Sequence, residues 1–148
     1  MDAAKKILKL DQFEIEDVFF ENAALIGISS DKPIYSLCHF LNQAFSLDFE
    51  RTTHLDVQIG KKNATYSFAV YQSPVCGSAF VYTFYKLKVE DVLLLPSLKN
   101  IDYIWLITDD DPEERAMHYL RYLRQLPEVQ FAGLLEKDKI KNIDYLIL

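Results

Sequence analysis

The chain has 148 residues, half of them apolar and 14% aromatic. That is the length of one domain, residues 1–148, able to bury roughly 70% of its unfolded surface without disulfide or metal staples. A disordered chain would need far lower hydrophobicity. The formal net charge of −6 argues against a broad contact with nucleic-acid phosphates or with an anionic membrane, since each needs Lys and Arg in excess on one face.

At the N-terminus, Ile7 to Leu10 follows Lys5 and Lys6 and suggests a short strand. The apolar stretch is too short for a signal peptide, and no stretch has the length of a membrane span. The expectation is a cytoplasmic protein, in which the triplet Asn63-Ala64-Thr65 carries no glycan. Ala23 to Ile28 is apolar and ends at Ser29-Ser30-Asp31, a helix-start signal. Pro33 falls in the first turn, where its missing N–H costs nothing. Ile34, Leu37, Cys38, Leu41, Ala44 and Phe45 then recur at helical spacing, which predicts an amphipathic helix over residues 32–46.

From Leu55 the period changes to two. Leu55, Val57 and Ile59 alternate with polar residues up to the turn signal Gly60-Lys61-Lys62-Asn63. Tyr66, Phe68 and Val70 alternate next, and Ser73 to Gly77 reads as a further turn. In the third strand Phe80, Tyr82 and Phe84 share one face and Val81, Thr83, Tyr85 and Leu87 the other. Together these predict a three-stranded antiparallel meander. Ile101 to Thr108 reads as a strand, and Asp109 to Glu114 opens a second helix with Ala116, Tyr119, Leu120 and Leu123 as its apolar stripe. Val129 to Leu135 and Ile143 to Leu148 read as closing strands. The class is α+β: a mainly antiparallel sheet with two helices on one face, because βαβ crossovers are too few for a doubly wound parallel sheet.

The chain also echoes itself. Gly27 to Pro33 resembles Leu106 to Pro112, and at the same offset of 79 (112 − 33) His39-Phe40-Leu41 meets His118-Tyr119-Leu120. Two readings stand: a repeat forming two pseudo-symmetric strand-helix-strand halves, or the capping chemistry shared by any two strand-to-helix junctions.

The chemistry-bearing residues form no known constellation. Cys38 falls in the first helix and reads as a small core residue; Cys76 falls in a turn; neither has ligand spacing. The run Asp109-Asp110-Asp111-Pro112-Glu113-Glu114 could suggest a hard cation, but at a helix start negative charge serves the free N–H groups and the macrodipole. His39, His54 and His118 belong to no metal or nucleophile motif, and the four glycines are too dispersed for a phosphate loop. Gly77-Ser78-Ala79-Phe80-Val81 is similar to part of an RNA-recognition motif, but the leading basic residue and two stacking aromatics are missing. No catalytic residue, no cofactor site and no metal site is therefore assigned.

Leu95-Pro96-Ser97-Leu98-Lys99-Asn100-Ile101-Asp102-Tyr103 resembles the signature of a bacterial family, the IPExxxVDY proteins. Pro96, Asp102 and Tyr103 match; Leu95 and Ile101 stand for Ile and Val; Ser97 replaces the Glu. Leu25 to Ser29 with Tyr35 and Leu37-Cys38, and Arg51 to Leu55, extend the resemblance over most of residues 23–108. It implies no activity, ligand or catalytic residue. Physically, Leu95, Pro96, Ile101, Asp102 and Tyr103 suit a shaped entry into the following strand, and Lys141-Asn142-Ile143-Asp144-Tyr145 repeats the chemistry, which favours a structural role.

Two functions remain. The first is a non-catalytic interaction protein, bound to an unknown protein partner or to itself as a homo-oligomer, since aromatic residues are enriched at interfaces. The second is a small-ligand-binding domain or an enzyme of unidentified class, with a pocket between sheet and helices lined by Tyr66, Tyr82 or Tyr85. Neither involves nucleic acid or a membrane. A mixed-sequence RNA oligomer is accordingly expected to bind no tighter than micromolar at about 0.15 M salt; sub-micromolar binding in an anisotropy titration contradicts this.

Overall fold

The computed structural model describes residues 15–148; the strand expected at Ile7 to Leu10 lies outside them. Residues 15–20 are helical. A six-stranded sheet follows, in the order β10-β1-β9-β6-β5-β2, with every neighbouring pair antiparallel. Its strands are β1 (Ala23–Ser29), β2 (Glu50–Arg51), β5 (Val70–Pro74), β6 (Val81–Lys86), β9 (Tyr103–Thr108) and β10 (Phe131–Leu135). Helix α1 (Ile34–Phe45) leaves β1, and α2 (Pro112–Leu123) joins β9 to β10. Two hairpins stand apart from the sheet: β3 (Val57–Lys61) with β4 (Ala64–Phe68), and β7 (Lys88–Val89) with β8 (Val92–Leu93).

The α+β class holds, and both helices lie on one face. Ile26 and Ile28 of β1 and Tyr103, Trp105 and Ile107 of β9 pack there with Leu37, Cys38 and Leu41 of α1 and with Tyr119, Leu120 and Leu123 of α2. Each helix turns its apolar stripe inward, as the periodicity requires. The opposite face is buried too. Leu25, Ile104 and Leu106 meet Phe20, Phe68, Leu87, Leu95, Ile140, Ile143 and Leu146 there. So β1 and β9 bury both faces, which explains why Ala23 to Ile28 and Tyr103 to Ile107 are continuous apolar runs instead of alternating ones.

Three expectations are corrected. The three-stranded meander is divided: β3 and β4 fold back as a separate hairpin, and only β5 and β6 enter the sheet. Lys62 and Asn63 both take positive φ, the tight turn that matches strand twist, and Val57, Ile59, Tyr66 and Phe68 pack the hairpin on the second core in place of a third strand. Ile143 to Leu148 is not a strand. Asn142 adopts a left-handed conformation, and Ile143–Leu146 coils into a 3₁₀ turn that drives Ile143 and Leu146 into the second core. Pro33 sits at the N-cap of α1, one residue before the helix, with extended backbone angles.

At the echo's offset of 79, Ile26 and Trp105 (105 − 26 = 79) face each other in the β1–β9 register, as one residue pair of any antiparallel ladder must for an offset of that parity. The correspondence then drifts. Buried positions 34, 37, 38 and 41 of α1 match 116, 119, 120 and 123 of α2 at an offset of 82 (116 − 34). Beyond the helices, β10 returns to pair with β1, whereas the strand beside β9 is β6 and not the next in sequence.

Trp105 is the hub of the helix-side core. The rings of Phe45, Phe49, Tyr82 and Tyr119 lie 4.6–6.3 Å from it, a spacing that favours aromatic pairs. Among the described residues its indole N–H has no hydrogen-bond partner, a cost of about 1–3 kcal/mol that the surrounding packing outweighs. Because β9 feeds both cores, they are expected to unfold together. Leu120→Ala and Leu146→Ala, one in each core and each fully buried, should each destabilise the chain by about 2–5 kcal/mol. In both variants the fluorescence of the single Trp and far-UV circular dichroism should report one shared midpoint; separated midpoints contradict the coupling.

Candidate functional site

Of the signature residues, Asp102 and Tyr103 meet the exit of β1. Leu95 is buried and Pro96 is exposed. Two successive turns follow, closed by the Leu98 N–H on the Leu95 carbonyl at 2.9 Å and the Ile101 N–H on the Leu98 carbonyl at 3.2 Å. Ile101 enters the second core. Asp102 then holds four partners through its backbone and carboxylate. Its N–H donates to the Ile28 carbonyl at 2.9 Å, and its own carbonyl accepts the Leu87 N–H at 3.0 Å. Its carboxylate accepts the Ser30 N–H at 2.9 Å and pairs with Lys88 Nζ at 3.0 Å. Beside it, Ser29 Oγ donates to the Asn100 carbonyl, and the Tyr103 hydroxyl donates to the Lys32 carbonyl at 2.7 Å. Burial, then the neighbouring Asp102 charge, pushes the Tyr103 phenol up to about 12, so it stays a neutral donor.

This is an anchoring network and offers no reacting centre. Asp102 and Tyr103 fasten the start of β9 to the segment that carries β1 into α1. Leu95 and Pro96 lie outside that cluster. The second Lys-Asn-Ile-Asp-Tyr stretch forms no such network; it makes the 3₁₀ turn instead.

The tyrosine-lined pocket is not formed. Tyr82 and Tyr85 lie three residues apart on one strand and so point to opposite faces, each fully buried. The Tyr82 and Tyr119 hydroxyls share a hydrogen bond at 3.1 Å, and Tyr85 donates to the Leu146 carbonyl at 2.7 Å. Desolvation raises both phenols. Tyr66 belongs to the separate β3–β4 hairpin. Cys38 is buried against the sheet, and burial pushes its thiol up, away from the reactive thiolate.

The acidic run meets its helix through the charges of Glu113 and Glu114 in the first turn and not through a side-chain cap bond. Asp109 accepts the Asp111 N–H at 3.0 Å and Arg115 Nε at 3.1 Å. The Asp111 N–H, followed by Arg115, holds its carboxyl below the ordinary carboxylate range. That stabilisation is present above the unfolded carboxyl's titration and is lost as pH falls through the lowered folded one. Asp111, the N-cap, makes no side-chain cap bond. Among the described residues no group of three or more His, Cys, Asp or Glu is arranged to hold a metal. His39, His54 and His118 are all exposed.

The surface features with unmet valence lie at the sheet's margin, where the sequence pointed to nothing. Among the described residues the two edges of the sheet differ. On one side β2 is two residues long and charged, Glu50-Arg51. On the other, β10 is five residues with no charge, and Phe131 and Leu134 are 50% and 41% exposed. Phe131 lies over Gly133, where a Cβ would approach its ring to 2.9 Å, so a side chain there would push the half-exposed ring aside. At the far end of β10 opens a groove of about 620 Å³. Ala23 to Leu25 line it together with the start of α2 and residues 134–138, and it carries Glu21, Asp111, Glu113, Glu136 and Asp138 against one lysine, Lys137. The uncharged run Val129 to Leu135 was the available signal, but whether a strand stands at an edge depends on strand order.

No helix among the described residues is long and apolar enough to cross a membrane. No family model, no curated protein and no solved structure matches the chain.

The network around Asp102 makes a graded prediction for thermal unfolding. Asp102→Ala strips a charge-assisted bond from a backbone N–H and should cost about 2 kcal/mol. Asp102→Asn keeps an acceptor and should cost less. Lys88→Ala should cost about 0.5 kcal/mol, because that pair is partly exposed. Tyr103→Phe should cost about 1 kcal/mol, for the lost Lys32 bond. Unchanged melting for Asp102→Ala contradicts the anchoring role.

Proposed function

We propose that this is a non-catalytic cytoplasmic interaction protein that binds another polypeptide along the open edge of β10, without nucleic acid or membrane. The observation that carries the reading is the inequality of the two sheet edges. A free strand edge presents unpaired N–H and C=O groups and invites another strand; proteins that must avoid this make edge strands short or charged. The β2 edge has both protections. The β10 edge has no charged residue within it, and its one evident guard is Arg124, whose Nε donates to the Ala132 carbonyl at 3.0 Å. Main-chain pairing to such an edge gives affinity, and alternate side chains give selectivity. The resemblance to the IPExxxVDY proteins enters on the same footing: its signature residues are proposed as structural anchors.

A photo-crosslinking residue placed at Leu134, and separately at Glu50, tests the reading in cells making the full chain. A protein adduct from position 134 but not from 50 is expected. Adducts from neither position, or equally from both, overturn the proposal.

A further inference from the structure

We infer that the occupant of the β10 edge is a second copy of this chain, paired antiparallel about a two-fold axis at Gly133, with Arg124 of each copy facing Glu136 of the other. The inference rests on the reading of β10 as the binding edge and goes further by naming what binds.

The argument begins with charge. Helix α2 packs beside β10 and runs against it: Glu113 shares the groove with Leu134, Leu135 and Glu136, while Arg124 reaches Ala132. Glu113, Met117 and Arg124 are four and seven residues apart, so they share one stripe of that helix. The edge is therefore acidic where β10 ends, with Asp111, Glu113, Glu136 and Asp138 outnumbering Lys137. Toward its start the group on the strand itself is basic, Arg124 on the Ala132 carbonyl, with Glu128 on the segment before it. Between the two ends lie the exposed, apolar Leu134 and Met117. A pattern that reverses sign along its length complements a copy of itself only head to tail. An antiparallel two-fold brings each acidic end onto the other's basic end, whereas a parallel copy sets like charge against like. Such an isologous contact closes after two chains.

The backbone agrees. The Ala132 carbonyl is held by a side chain, which marks Ala132 and Leu134 as the residues whose main-chain groups turn outward, since these alternate along a strand. Pairing about Gly133 places Ala132 opposite the copy's Leu134. The two exchange N–H···O=C bonds, and the large side chain covers the small one on the helix side of the sheet. Arg124 gives up the Ala132 carbonyl to the copy's Leu134 N–H and turns to the copy's Glu136. Among the described residues the Glu136 carboxylate is held only by Lys139 at 3.2 Å, a pair more than two-thirds exposed, and such pairs are weak.

Sedimentation of the full chain from low micromolar to near-millimolar concentration tests this. The parent should show a monomer–dimer equilibrium. Leu134→Pro removes the outward N–H, and Arg124→Glu and Glu136→Arg each place like charges together; each should weaken dimerisation by on the order of tenfold or more. The two charge changes lie on the surface and leave a folded control if the proline variant fails to fold. The double variant Arg124→Glu/Glu136→Arg should restore the dimer. Single variants that dissociate without rescue in the double variant overturn the arrangement. A parent monomeric throughout, with Leu134 adducts to other proteins still formed, overturns the inference and leaves the edge reading standing. A dimer indifferent to all the edge variants, with no Leu134 adduct, overturns both.

Discussion

The pairing of β1 with β9 leaves neither strand an exposed face, and that sets a problem the apolar side chains cannot solve alone. When one face of a strand is buried and the other wet, a slip of one residue moves every apolar side chain into water, so the hydrophobic pattern fixes the register. Here Ala24 to Ile28 and Tyr103 to Ile107 are apolar at every position but Gly27 and buried throughout. A slipped pairing would still bury apolar groups on both sides. The register must be held by something directional. Asp102 supplies it at one end, through the Ile28 carbonyl and the Ser30 N–H, with Tyr103 on the Lys32 carbonyl beside it. At the other end the Asp109 N–H donates to the Asn22 carbonyl at 3.0 Å. Shape adds to this: Gly27 stands opposite Ile104, and Trp105 opposite Ile26.

The rest of the architecture follows from that pair. One face takes α1 and α2 around Trp105; the other takes the two hairpins and the 3₁₀ turn of Ile143–Leu146. The sheet then grows outward on both sides. On the β6 side it ends in a short charged strand. On the β1 side it ends one strand away, at β10, with its backbone groups facing out. The pair that binds the chain together thus lies next to the edge on which binding is proposed. A partner on β10 would be separated from the Asp102 network by a single strand.

Local chemistry was legible and long-range order was not. The helices were readable because Leu37, Cys38 and Leu41, and Tyr119, Leu120 and Leu123, recur at helical spacing and actually pack. A side-chain bond from Asp102 to backbone was expected within its own turn; its partner is the Ser30 N–H instead. The second face was hidden because continuous apolar runs suit strands and buried helices alike. Ile143 to Leu148 misled for the same reason: its apolar pattern suits a strand, but Asn142 turns the chain into a coil first. The β3–β4 hairpin was placed in the sheet because alternation identifies a strand without naming its neighbour. The β10 edge depends on strand order alone, which no local pattern carries.

Residue-resolved amide exchange on the parent and on Asp102→Ala tests the register account most directly. In the parent, amides of β1 and β9 should be the slowest in the chain and should exchange only through global opening. In Asp102→Ala, protection should fall most over residues 28–32 and 100–103 and spread along both strands, while the distal β3–β4 hairpin changes least. Protection of β1 and β9 left intact in the variant, or slowest exchange located elsewhere in the parent, would contradict it.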